Sequence, residues 1–95
     1  MGLKIKTVLV TGASSGIGLD IARGVLEKGF NVVLNARDEE RLSIAKKTLG
    51  DEKRTANVVG DIGDPETGEK MVRAAVDRFG SVDVLVNNAG IFGAK

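Results

Sequence analysis

Along this chain the apolar residues follow two different periods. Val8-Leu9-Val10, Val32-Val33-Leu34 and Val84-Leu85-Val86 are continuous apolar runs, and longer stretches between them repeat apolar residues at helical spacing. A continuous run suits a strand buried on both faces, whereas helical spacing suits an element with one buried stripe. The pattern predicts a first strand over Lys4–Thr11 and a helix from Ser15 to Lys28. Ile17, Ile21, Ala22, Val25 and Leu26 share that helix's buried stripe, with Asp20, Arg23, Glu27 and Lys28 largely off it. Gly24 is a poor helix former, and close packing on the sheet is the expected reason for it. Gly29 is placed to end the helix.

The second strand is expected over Asn31–Ala36, and Asp38 caps a second helix with Glu39 and Glu40 in its first turn. Leu42, Ala45 and Leu49 form its buried face, Gly50 ends it, and Asp51–Arg54 reads as a solvated turn. Thr55–Gly60 is the third strand. Asp64-Pro65-Glu66 combines a cap, a proline at the first helical position and an acidic first turn, which predicts a third helix. Met71, Val72, Ala75, Val76 and Phe79 give it an apolar stripe that reads as core; Gly80 closes it, and Val82–Val86 is the fourth strand.

Three strand–helix units and a final strand predict one α/β domain with a parallel sheet. Right-handed crossovers in the doubly wound order give 3-2-1-4, with a switch point between strands one and four. The first two helices then share one face and the third stands alone on the other. One helix cannot cover four apolar strands, and the fourth strand is left as an edge. A homo-oligomer, or further chain that completes the sheet, is therefore expected.

The candidate chemistry gathers at Thr11-Gly12-Ala13-Ser14-Ser15-Gly16-Ile17-Gly18, between the first strand and the first helix. Gly12 permits a sharp exit from the strand. Gly16 lets backbone come close to a pyrophosphate, and Gly18 lets the helix pack tightly. Unpaired N–H groups of the helix's first turn face an anion there, and Ser14 and Ser15 add hydroxyl donors. The spacing Gly-x-x-x-Gly-x-Gly is one residue longer at its front than the common dinucleotide motif. It is not a P-loop, because no Lys-Ser/Thr pair follows the last glycine. A second motif, Asn87-Asn88-Ala89-Gly90, directly follows the fourth strand.

Together these two motifs resemble the short-chain dehydrogenase/reductase family, residue for residue. The resemblance covers the first half of such a protein. It implies a Rossmann-like fold, residues 1–95 forming an NAD(P)-binding half-domain, and hydride transfer between NADP(H) and a carbonyl or alcohol in the complete protein. The family's cofactor-selecting position at the end of the second strand holds Ala36, followed by Arg37. A neutral residue and a guanidinium fit a 2′-phosphate better than a free 2′-OH, so NADP(H) is preferred and NAD(H) is possible. Ser15 stands where many NADP-preferring members carry Lys or Arg. By the same resemblance Asp61 accepts from the adenine amino group, Ile62 flanks the ring, and Asn88, Ala89 and Gly90 pass beside the nicotinamide ribose.

Composition narrows the chemistry further. Among 95 residues there is no His, Tyr or Cys, so no side chain has an ordinary pKa between the carboxylates and lysine. No catalytic residue and no metal ligand is assigned: the family's catalytic Ser and Tyr-x-x-x-Lys are expected beyond Lys95. The alternative reading is a non-catalytic dinucleotide-binding fragment or engineered half-domain scaffold. A net charge of +1 argues against nucleic-acid and membrane partners. With no leader-like or spanning apolar run, a cytoplasmic location is expected.

Overall fold

The computed structural model describes residues Ile5 to Asn88. Strands β1 (Thr7–Val10), β2 (Asn31–Ala36), β3 (Thr55–Val59) and β4 (Val84–Val86) alternate with helices α1 (Gly16–Glu27), α2 (Glu39–Leu49) and α3 (Pro65–Phe79). A single 3-10 turn, Glu52–Arg54, precedes β3. All neighbouring strands pair in parallel, in the order β3-β2-β1-β4. This is the doubly wound, Rossmann-like sheet the sequence predicts.

The register assigns the apolar residues to two faces. On one face Val8, Val10, Val32 and Leu34 pack with Ala22 of α1 and Leu42 of α2; on the other, Leu9, Val33, Ala56 and Val58 pack with Met71 and Ala75 of α3. Alternation along each strand feeds both cores, which is why the runs are continuously apolar. Helix ends follow the expected chemistry. The Asp38 carboxylate accepts from the Glu40 and Arg41 amides at 3.0 and 3.1 Å, and Asp64 accepts from the Glu66 amide at 3.0 Å. Gly50 and Gly80 close α2 and α3 in the left-handed conformation, at φ 77° and 85°.

Four expectations need correction. β4 begins at Val84 instead of Val82, because Asp83 pairs differently: its amide donates to the Thr7 carbonyl, while its carboxylate accepts from the Thr7 amide at 2.8 Å. Gly24 does not mediate close packing, since an added Cβ there meets nothing within 4 Å. Asp51–Arg54 is more than a solvated loop. Arg54 forms a half-buried ion pair with Asp51 at 3.3 Å, and Arg78 of α3 donates to the Glu52 carbonyl at 3.3 Å. Finally, Val72 and Val76 are 45% and 50% exposed, outside the core that Met71 and Ala75 enter.

The last point follows from topology. α3 lies over β1, β2 and β3, and β4 lies beyond it. Leu85 is 59% exposed and Val84 43%. With Leu9, Met71, Val72 and Val76, Leu85 lines an open apolar groove of about 700 Å³. The uncovered side of α3 and the edge strand are thus one continuous surface.

Candidate functional site

Six of the residues singled out in the sequence line one cleft where the strands end, and Ser15, Gly16, Ile17, Gly18 and Asn88 are not among its lining. Gly12, at φ 61°, turns the chain out of β1, and the Ala13 amide donates to the Asn35 carbonyl at 2.9 Å, fastening the loop to the end of β2. Ser15 is the N-cap of α1, yet its side chain makes no capping bond, and the first turn carries no acidic residue. The first-turn amides therefore have no side-chain acceptor competing for them. Gly16 is exposed at φ 59°, and a Cβ on it would meet nothing within 4 Å. Its glycine is set by backbone conformation, and the space outside is open. Ile17 was expected on the buried stripe; it is 56% exposed and joins neither core.

Gly18 has a tighter role than expected. A Cβ on it would run into the Gly12 carbonyl and sit 2.9 Å from the Asn88 amide nitrogen. That nitrogen donates to the Gly12 carbonyl at 3.1 Å. Loop, helix and the tail of β4 thus close on one carbonyl group. The adjacent Asn87 is also fastened, accepting from the Thr11 hydroxyl at 3.1 Å. Asn88 is 6% exposed, and among the described residues its Oδ1 has no hydrogen-bond partner. Ala89 and Gly90 lie outside the described residues.

Beside the loop opens a cleft of about 580 Å³, lined by Gly12, Ser14, Ala36, Arg37, Asp61 and Ile62, all anticipated. Four further lining residues, Asn35, Asp38, Arg41 and Gly60, were missed as site residues. Asn35 is 2% exposed and donates through Nδ2 to the Val58 and Gly60 carbonyls at 3.0 and 3.1 Å. An amide in the middle of an apolar strand was the available signal, since asparagine is depleted in strands without a specific partner. Gly60 has φ 155° and no room for a Cβ, with the Thr67 hydroxyl 2.5 Å from that position. It turns the chain out of β3 so that Asp61 faces the cleft. Asp61 accepts from the Gly63 amide through Oδ1 at 2.9 Å and faces Arg37 Nη1 through Oδ2 at 3.7 Å.

A dinucleotide fits this arrangement on two counts. The loop offers amides without competing side chains, and Gly16 leaves its approach open. Among the described residues no set of His, Cys, Asp or Glu is placed to hold a metal ion. No helix among them is long and apolar enough to cross a membrane.

Sheet order, switch-point loop and cleft define a Rossmann-like protein. A family profile described as short chain dehydrogenase matches residues 6–95. The chain belongs to the short-chain dehydrogenase/reductase family. It is 50% identical over 91 residues to an L-rhamnose 1-dehydrogenase (NAD(P)(+)) of Azotobacter vinelandii, covering 90% of this chain and 36% of that protein. The L-sorbose reductase of Gluconobacter frateurii, solved with NADPH and L-sorbose, superposes with a TM-score of 0.82 at 43% identity, covering 95% of this chain and 35% of that one. An actinorhodin polyketide ketoreductase solved with NADPH gives 0.81 at 42% identity, covering 88% and 33%. The chain spans about a third of the length of the curated relatives it matches.

The Gly12–Gly18–Asn88 contact makes a paired prediction. Gly18→Ala drives a methyl group into a backbone carbonyl and should cost about 1–3 kcal/mol of stability in the full chain. Gly24→Ala, in open helix, should stabilise by up to about 1 kcal/mol. Denaturant melts of both variants check this, and equal stabilities would refute the contact's importance.

Proposed function

We propose that this chain is the cofactor-binding half of an NADP(H)-dependent oxidoreductase acting on a carbonyl or alcohol. The observation that carries the reading is the cleft at the switch point, where an arginine stands beside Ala36 in place of an acidic residue. Bound there, the cofactor supplies hydride chemistry to the complete protein. The chain's own residues bind and orient. First-turn amides of α1, with Ser14 and Ser15, hold the pyrophosphate. Asp61 and Ile62 hold the adenine, and Arg37 takes the 2′-phosphate. Asn88 supports the glycine loop, and with Ala89 and Gly90 it borders the nicotinamide ribose.

The Arg37–Asp61 pair does not oppose this assignment. Both side chains are mostly exposed, at 79% and 60%, and such pairs are worth about 0–1 kcal/mol. A charge-assisted bond from guanidinium to phosphate contributes about 1.5–3 kcal/mol. Exchange of Arg37 from carboxylate to phosphate is therefore favourable, and it leaves Asp61 Oδ2 free to accept from the adenine amino group. NAD(H) lacks that phosphate and binds more weakly, though it is not excluded from the cleft.

A second reading, a binding module without chemistry of its own, draws on the absence of Tyr, His and Cys from these 95 residues. It shares the site and differs only in turnover. The groove along α3 and β4 adds a further proposal, self-association of the isolated polypeptide, because Val72, Val76 and Leu85 leave contiguous apolar surface open to solvent there.

Three outcomes are expected. NADPH should bind the full chain more tightly than NADH, and Arg37→Asp should narrow or reverse that preference by about one to two decades. Equal titration of both cofactors by the parent would sink the reading. Purified residues 1–95 should show no carbonyl reduction with NADPH; a rate that survives removal of contaminants would show that these residues suffice for catalysis. Light scattering of the same polypeptide should give a mass that rises with concentration, and a constant monomer mass would rule out self-association.

A further inference from the structure

We propose that Asn35 is a positioning residue for the adenine end of the cleft, setting the place of Asp61 through the Gly60 carbonyl. The inference rests on the adenine role given to Asp61 above and deepens it. It starts from a residue that strands disfavour. Asn35 follows the apolar run Val32-Val33-Leu34 and is 2% exposed, so its side-chain amide has to be satisfied inside the protein. Two residues after Val33, it lies on the face of the sheet that α3 covers. There Nδ2 donates to the Val58 and Gly60 carbonyls at 3.0 and 3.1 Å. The register of β2 with β3 ends at the pair Ala36 and Val59. The Gly60 carbonyl therefore lies past the last pair, and a side chain holds it where strand pairing has stopped.

That carbonyl belongs to the peptide group leading into Asp61. On its amide side Gly60 is tied by the backbone, donating to the Ala36 carbonyl at 3.0 Å. On its carbonyl side a glycine is free to swing, and the Asn35 bond is what fixes it. The turn that follows is folded on itself. Asp61 Oδ1 accepts from the Gly63 amide at 2.9 Å, the Asp64 amide donates to the Asp61 carbonyl at 2.9 Å, and Asp64 goes on to cap α3. These local bonds set the shape of the turn and the orientation of the carboxylate. They do not set where the turn stands over the cleft. That is decided at its two ends, by the cap of α3 and by Gly60. Asn35 itself lines the cleft together with Asp61. It joins the exits of β2 and β3 through buried bonds, whereas the Arg37–Asp61 pair across them is exposed.

The test titrates the full chain with NADPH and with its hypoxanthine analogue, which carries a carbonyl oxygen in place of the adenine amino group. Both ligands have the same 2′-phosphate, so Arg37 contributes equally to each. The parent should favour NADPH by about tenfold. Asn35→Leu keeps the bulk and removes both donations; it should weaken NADPH by about five- to tenfold and leave the analogue within about twofold. Asn35→Ser, which retains one hydroxyl donor, should recover part of the discrimination. With Asp61→Ala already in place, Asn35→Leu should change neither affinity by more than about twofold. Circular dichroism checks folding; where Asn35→Leu does not fold, Asn35→Ser carries the comparison and should weaken NADPH alone, by about threefold. A parent that prefers NADPH and folded variants that keep its ratio would overturn the assignment of Asn35 alone. Equal binding of both ligands by the parent would overturn the adenine role of Asp61 with it. Equal weakening of both ligands by the variants would also refute the proposal, since a merely structural role predicts that.

Discussion

The site depends on one place where no side chain fits. Gly18 brings the first turn of α1 against the Gly12 carbonyl, and the Asn88 amide donates to that same carbonyl from the end of β4. Residues from the front and back of the described chain are therefore joined through a single acceptor. The geometry has two consequences. It fixes the direction of α1 relative to β1, and so the direction in which the free first-turn amides point. It also ties the β4 tail into the floor of the loop, so loop shape depends on the strand's register. Overpacking at such a point costs about 1–3 kcal/mol, a large share of a small domain's stability.

From that point the sheet distributes its burden unequally. α1 and α2 cover one face, where Val8, Val10, Val32 and Leu34 are almost wholly buried. α3 covers most of the other and stops short of β4. The parallel order with right-handed crossovers dictates this division, because two connections run one way and the third runs back. The price is an apolar border of Leu85, Val72 and Val76. Glu69, Arg73 and Asp77 of α3 share that border, while β4 itself, Val84–Val86, carries no polar side chain of the kind that usually blunts an edge strand.

Much of this was legible in the chain. Strand–helix alternation, caps at Asp38 and Asp64, and glycines at 50 and 80 follow from local chemistry, because each needs only neighbours to act. Of the cleft's lining residues, Gly12 and Ser14 were legible from the glycine loop itself, whereas Ala36, Arg37, Asp61 and Ile62 were reached through the family resemblance. What escaped depends on distant partners. Asn35 reads as a poor strand residue until the Val58 and Gly60 carbonyls are placed opposite it. Val72 and Val76 have the same spacing as Met71 and Ala75, and only the position of β4 separates core from groove. Ile17 lies within the periodic stripe but in the helix turn that faces the site. Hydrophobic period locates an element well and says less about where its first turn or its outer flank will lie.

The site divides binding from discrimination, and the division follows from the groups used. Backbone amides of a glycine loop recognise any phosphate that reaches them, since each residue offers the same N–H. They carry no information about the ribose 2′ position. That information has to come from side chains, and on the proposed reading it lies in the segment that joins β2 to α2. Arg37, Asp38 and Arg41 are all well exposed and outside both cores, so changes among them leave the sheet undisturbed. Gly12, Gly18 and Asn88 have no such freedom. On that reading, a cofactor preference can be rewritten at the mouth of the cleft while the glycine loop stays as it is.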